Sequence, residues 1–346
     1  MTTQRHDAAH QQSLLQRSFD EPAGDSPALS VVAPCYNESE SLPELHRRVS
    51  QVCRDQVGDS YELVLINDGS ADGTWSSIRS LAETDPHIVG VNLSRNYGHQ
   101  LALSAGLSIC RGRRILIIDS DLQDPPELLP QMMTLMDQGA DVVYGQRENR
   151  LGETWFKRAS AALFYRLLKR LVDIEIPLDA GDFRLMSRRA LDVLNAMPEQ
   201  HRFIRGMVSW IGLDQRPLPY QRQERFAGET GYPLRKMIRF ALDAITGFSI
   251  QPLRIATHFG VMFGLGGFVM LMVALYGWLT GRAIEGWTSL MTVILLLGSV
   301  QLLVIGVLGE YVGRLYTESK RRPLYVIAEI AVGKRRAEAA GDAKVA

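Results

Sequence analysis

The 346-residue chain carries 38 Lys+Arg against 38 Asp+Glu, a formal net charge of zero, and 46% hydrophobic residues. Balanced charge argues against a generally basic nucleic-acid binder, and 22% charged residues beside that apolar fraction excludes a disordered chain. Three cysteines (Cys35, Cys53, Cys110) without C-x-x-C spacing disfavour a disulfide framework and a thiolate zinc site, and suit a reducing compartment.

In chain order, residues 1–27 are polar and lack the apolar core of a signal peptide, so they read as a mobile tail. From residue 28, short β-branched runs at 29–33, 62–66, 88–93, 114–118 and 141–144 alternate with helix-length segments at about 41–56, 73–84, 99–110 and 126–139. Strands apolar on both faces and separated by helices predict an α/β domain over 28–232, with a mixed, mostly parallel sheet and helices on both faces. Ligands of such sheets bind at the carboxyl ends of the strands, at a topological switch point.

Beyond residue 145 the pattern changes. Residues 154–171 and 233–249 place apolar side chains at helical spacing with basic residues around them, and 233–252 is expected to be an amphipathic helix lying on the membrane interface. Trp155 and Phe156 fit the same interface. Between Arg254 and Arg282 lie 27 residues without Asp, Glu, Lys or Arg, and between Glu285 and Glu310 another 24. About 20 apolar residues at 1.5 Å each cross a hydrocarbon core of roughly 30 Å, so two transmembrane helices are expected within 253–316, at about 255–280 and 286–311. Arg235, Lys236, Arg239 and Arg254 precede the first span, and Arg314, Lys320, Arg321 and Arg322 follow the second. That bias puts both ends, including a tail over 317–346, on the cytoplasmic side of the membrane.

Three loops at strand ends carry chemistry. Asp119-Ser120-Asp121-Leu122-Gln123-Asp124 follows an apolar strand, and two carboxylates at i and i+2 of a turn can share a hard cation with phosphate oxygens and water. Taken alone, it reads more readily as a polar turn ending a strand. Pro34-Cys35-Tyr36-Asn37-Glu38 and Asn67-Asp68-Gly69-Ser70 close the first two strands, where an Asp can accept from a base N–H or a ribose hydroxyl. Neither G-x-G-x-x-G nor G-x-x-x-x-G-K-[ST] occurs in these loops, which disfavours a Rossmann cofactor site and a P-loop.

Together, these motifs resemble the inverting family 2 glycosyltransferases of the GT-A fold. The stretches Asn92 to Gln100, Asp119 to Pro126 and Gly181-Asp182-Phe183-Arg184-Leu185-Met186 are similar to the polyprenyl-phosphate branch: bactoprenol glucosyltransferases, undecaprenyl-phosphate aminoarabinose transferases and dolichyl-phosphate mannose synthases. The resemblance covers about 29–325 and implies transfer of a sugar from a nucleotide-sugar, of UDP type, to undecaprenyl phosphate in the bacterial inner membrane. It places Pro34, Tyr36, Glu38 and Asp68 around the nucleoside, and Asp119, Ser120, Asp121 and Gln123 at the diphosphate, with Mg²⁺ or Mn²⁺ on Asp119, Asp121 and Gln123. It gives Arg147, with Arg158, Arg225 and Lys236, to the acceptor phosphate, and makes Asp182 a base or positioning residue. Relatives read Gly-x-Ser-Lys-Tyr in the mobile loop where this chain has Gly228-Glu229-Thr230-Gly231-Tyr232, so Arg225 or Lys236 is expected to replace the lost lysine. A homo-oligomer, such as a tetramer, fits the same resemblance.

His99, at a helix start, reads as a packing residue or a phosphate contact. Two other readings stay open: a processive polysaccharide synthase of the same fold, and a non-catalytic membrane scaffold that binds nucleotide-sugar. Against the first, Gln200-His201-Arg202-Phe203 does not satisfy Gln-x-x-Arg-Trp, and two spans do not line a pore; against the second stands the intact D-x-D-x-Q.

Overall fold

The computed structural model describes residues 26–147, 180–221, 249–280 and 286–333. Among these, eight strands form one sheet: β1 (Leu29–Cys35), β2 (Tyr61–Asn67), β3 (Ile88–Leu93), β4 (Arg114–Ile117), β5 (Val142–Arg147), β6 (Ala180–Ser187), β7 (Gln215–Tyr220) and β8 (Ile327–Val332). The helices are α1 (Leu42–Val57), α2 (Thr74–Thr84), α3 (His99–Ile109), α4 (Leu129–Asp137), α5 (Arg188–Ala196), α6 (Ile204–Ile211), α7 (Gln251–Leu279) and α8 (Trp287–Lys320). They fall into two compact units, one from the described residues of 1–154, 176–231 and 323–346, the other from those of 232–322.

In the first unit the strand order is β7-β5-β6-β4-β1-β2-β3-β8. Strands β1 and β2 are buried along their whole length, as strands apolar on both faces must be when helices cover both sides. β1 to β5 and β7 run one way, while β6 and β8 are reversed, which gives the mixed, mostly parallel sheet expected of the sequence. The order switches at β1, with β2 on one side and β4 on the other, so the loops leaving β1 and β4 flank the place where such sheets bind ligands. Reversal of β6 has a second consequence. Its pairing with β4 sets Arg184 opposite Ile117, which brings Asp182, two residues earlier, toward the turn that leaves β4.

Helix α3 carries His99 and Gln100 at its first two positions and lies close against β1 and β2 through Gly106. A Cβ there would sit 2.5 Å from Ile66 Cδ1 and 2.5 Å from Val32 Cγ1. The missing side chain therefore lets the C-terminal half of α3 pack close against the sheet.

Strands β6 to β8 lack the continuous apolar runs of β1 to β4: in β6, Asp182 and Arg184 alternate with the core residues Phe183 and Leu185. β6 holds Asp182 and Arg184, β7 holds two prolines, and β8 is a six-residue edge strand. Residues 317–346, read above as a tail, contain β8, which pairs antiparallel with β3. Ser94 N–H donates to the Val326 carbonyl (2.9 Å), Tyr325 Oη to Ser108 Oγ of α3 (2.7 Å), and Trp75 Nε1 to Glu329 Oε2 (3.2 Å). The edge strand is held by contacts distant in sequence, which a linear pattern does not display.

In the second unit, α7 and α8 are long and apolar enough to cross a membrane over Gln251–Val273 and Leu296–Lys320. Large apolar side chains such as Phe259, Leu265, Leu302 and Leu303 are exposed on them. α7 begins at Gln251, so residues 251–252, assigned above to the interfacial helix, are its first turn. Tyr311 Oη donates to the Ser249 carbonyl (2.6 Å), tying α8 to the residue two before α7. The rest of the expected interfacial helix, the 154–171 helix, Arg158, Arg225, Lys236 and the Gly228–Tyr232 loop lie outside the described residues.

A Gly106→Val substitution forces α3 off the sheet. The expected cost is about 1–3 kcal/mol of stability, the usual penalty of overpacking, read as a lower unfolding midpoint in a denaturant or thermal series.

Candidate active site

The first two strand ends are stitched together. Ala71 N–H donates to Asn37 Oδ1 (2.9 Å), Asn37 N–H to Ser70 Oγ (3.0 Å), and Glu38 N–H to Thr74 Oγ1 (2.9 Å). Glu38 Oε2 accepts from Ser41 Oγ (2.6 Å) just before α1, so this carboxylate ties the β1 loop to the residue that opens the helix. Tyr36 projects outward, 50% exposed. Asp68 is buried, and its oxygens accept from the amides of Tyr97 (2.7 Å) and Gly98 (2.9 Å). Burial raises its pKa while those two amides lower it, with a net upward shift. In this structure Asp68 pins the loop that leads into His99.

The turn after β4 is locked to its neighbour. Ser120 Oγ donates to the Pro34 carbonyl (3.0 Å), joining the switch-point loops. Gln123 N–H donates to Asp121 Oδ1 (3.1 Å), and between them Leu122 adopts φ 59°, a left-handed conformation that costs a non-glycine residue about 1–2 kcal/mol. The Leu122 side chain, buried in the core, helps hold that strained turn, and such strain is characteristic of functional loops.

Asp182 stands at the centre. The buried Oδ2 accepts from Gln100 Nε2 (2.9 Å) and lies 3.3 Å from His99 Nε2. Arg205 and Arg184 face Oδ1 at 3.6 and 3.9 Å. Burial alone would raise this carboxyl's pKa, but His99, Arg205 and Arg184 hold it far below the ordinary carboxylate range. Arg184, completely enclosed, is pushed down to about 10 by burial, and its Nη2 donates to the Gly181 carbonyl (3.0 Å).

His99 Nε2 also lies 3.5 Å from Asp119 Oδ1. Its side chain is 42% exposed, so the loss of hydration that disfavours the imidazolium is partial, and the hydrogen bond to Asp182 with the charges of Asp119 and Asp182 outweighs it and raises the pKa to about 9. Asp119 moves the opposite way from Asp182. Burial pushes it up to about 6, with Asp182, Asp124 and Asp121 adding to the rise and His99 opposing it.

Arg147, at the end of β5, donates from Nε to Tyr220 Oη (3.4 Å), and Tyr220 in turn donates to Asp124. Gly181 makes room for it, since a Cβ there would lie 2.8 Å from Arg147 Nη2. Through Tyr220 and Asp124 the guanidinium is linked to the acidic turn.

The structure thus brings together Asp119, Ser120, Asp121, Asp182 and Pro34, and links Arg147 to them. Glu38 and Asp68 are engaged in holding loops, and Gln123 contributes its backbone amide. Among the described residues, no three or more His, Cys, Asp and Glu side chains form a ready-made metal cage. The donor set still fits a hard divalent cation. Asp119 Oδ1 is buried without a hydrogen-bond partner, and its carboxylate is crowded by other acids, a condition a cation relieves. The sequence reading underweighted His99 and missed Gln100 and Arg205. His99 and Gln100 lie in the Asn92 to Gln100 stretch that carries the resemblance, but their contacts with Asp182, like that of Arg205, become legible once the register of β6 is known.

Residues 30–194 match Glycosyl transferase family 2, and residues 251–315 match the GtrB C-terminal hairpin. The chain is 45% identical to the uncharacterized glycosyltransferase YkcC of Bacillus subtilis (strain 168), over 86% of this chain and 92% of that one. It is 40% identical to the prophage bactoprenol glucosyl transferase homolog of Escherichia coli (strain K12), over 87% and 99% of the two chains. It is likewise 40% identical to the bactoprenol glucosyl transferase of Shigella phage SfV, over 86% and 97%. With its acidic turn at the switch point and its two C-terminal apolar helices, the chain belongs to glycosyl transferase family 2.

Proposed function

We propose that the protein transfers a sugar from a nucleotide-sugar of UDP type to the phosphate of a membrane-held polyprenyl phosphate, undecaprenyl phosphate, with inversion at the anomeric carbon. The observation that carries this reading is the pairing of Asp119 and Asp182 on either side of His99 at the carboxyl edge of the sheet. It is supported by 40% identity to proteins named bactoprenol glucosyl transferase and by two helices suited to a bilayer. The positive charges around those helices favour a cytoplasmic catalytic unit on the inner membrane.

The acceptor is a phosphate monoester, whose second pKa near 6 leaves it mostly dianionic at pH 7. One of its oxygens forms the new bond to the anomeric carbon, the bond to the diphosphate oxygen breaks, and the electron pair leaves with the nucleoside diphosphate. No proton has to be removed. That suits Asp182, because a carboxylate held so far below neutrality is a poor general base. Its work is to balance charge and fix the geometry beside the reacting carbon.

The obstacle is repulsion between two anionic phosphates. Imidazolium His99 and the guanidinium groups of Arg205 and Arg147 set positive charge around the acidic turn. Asp119 and Asp121 would hold a divalent cation, Mg²⁺ or Mn²⁺, which when bound neutralises charge on a departing diphosphate. Tyr36, half exposed at the end of β1, offers a ring face to the base, and Arg158, Arg225 and Lys236 are assigned to the acceptor phosphate.

Two outcomes are expected. Asp121→Asn, assayed with purified protein, undecaprenyl phosphate and UDP-sugars, loses turnover by about 100-fold or more at an unfolding midpoint near the parent's. Parent-like turnover contradicts the reading. Cation affinity should follow Asp119. Above about pH 6 the carboxylate is free to bind, and below it a proton competes, so Mn²⁺ affinity measured by calorimetry falls about tenfold per pH unit under that value.

A further inference from the structure

Gln100 takes no part in the assignments above, yet its side chain joins three elements. From the second position of α3 its Nε2 donates to Asp182 Oδ2 at the start of β6 (2.9 Å). Its Oε1 accepts from the backbone N–H of Ile204, the first residue of α6 (2.9 Å). A carboxamide presents a donor and an acceptor from a single rigid plane without carrying charge. Here the donor end meets a carboxylate and the acceptor end meets an amide of a helix first turn, a donor with no partner inside its own helix. The next residue of α6 is Arg205, whose guanidinium faces the other oxygen of the same carboxylate at 3.6 Å. Gln100 therefore spans from Asp182 to the helix that carries the opposing cation.

We propose that Gln100 is a positioning residue for sugar transfer: it fixes the rotation of Asp182 and the approach of Arg205, and touches neither sugar nor phosphate. This rests on the transferase reading above. Without it, Asp182 keeps only His99 on Oδ2, the Ile204 amide loses its acceptor, and the Asp182–Arg205 separation is no longer set from both sides. An error of about 1 Å in such an arrangement costs on the order of 100-fold in rate.

The test uses the full-length protein in lipid with two variants. Gln100→Leu removes both hydrogen bonds. Gln100→Glu keeps an acceptor for Ile204 but sets a carboxylate against Asp182 Oδ2. Three quantities are read: kcat and donor KM with undecaprenyl phosphate, the thermal midpoint, and hydrogen exchange of the peptide spanning 203–208. The expected result is at least tenfold lower kcat in both variants, donor KM within twofold of the parent, and midpoints within a few degrees. Exchange at Ile204 should be faster in Gln100→Leu and parent-like in Gln100→Glu. Parent-like kcat in Gln100→Glu would overturn the proposal, because Gln100 would then only cap α6. So would a loss confined to donor KM, or unchanged Ile204 exchange in Gln100→Leu. If the parent itself makes no sugar-lipid, the transferase reading fails, and the exchange data still decide whether the bridge exists.

Discussion

A negative charge buried at the first turns of a reversed strand organises this site. Leaving the Asp182 carboxylate unpaired in the protein interior would cost several kcal/mol, so the fold has to surround it with partners. They come from α3 through His99 and Gln100, from β6 itself through Arg184, and from α6 through Arg205. Each partner fixes the element that carries it. Compensation of one buried charge thus fixes the placement of two helix starts against the edge of the sheet.

The same imidazole faces a second carboxylate, and the two acids are driven in opposite directions. Asp182 is surrounded by cations and stays ionised far below neutrality, whereas Asp119 is raised to about 6 by burial, with Asp182, Asp124 and Asp121 adding to the rise. Divergent environments for neighbouring carboxyls separate their tasks. Asp182 is faced by His99, Arg205 and Arg184, whereas Asp119 has only His99 within ion-pair distance among the described residues, which suits the cation-holding role proposed for it.

The five β-branched runs and the helices between them were legible because each is short, apolar on both faces and bounded by turn residues, and the structure has strands β1 to β5 at those places. The acidic turn was legible from its spacing and from the apolar strand before it. Asp182 was reachable only through resemblance, because the alternation of Asp182 and Arg184 with Phe183 and Leu185 marks a half-buried strand and does not distinguish a site from an ordinary polar face. His99, Gln100 and Arg205 were harder still, since their importance arises from the antiparallel register of β6 on β4, a relation between segments far apart in the chain. β8 escaped for the same reason, its pairing partner lying more than 200 residues upstream.

The apolar helices give the chemistry its setting. In the proposed reaction a water-soluble activated sugar meets a phosphate that cannot leave the bilayer, and covalent continuity with two helices of spanning length suits that task. The most direct measurement is the structure of the product: full-length protein in lipid, a panel of α-linked UDP-sugars, undecaprenyl phosphate as acceptor, and magnetic resonance of the extracted lipid to read the anomeric configuration. The account predicts one sugar joined to the lipid phosphate in the β configuration, opposite to the donor. A product that retains the donor configuration, or sugar released only as the hydrolysed monosaccharide, would contradict it.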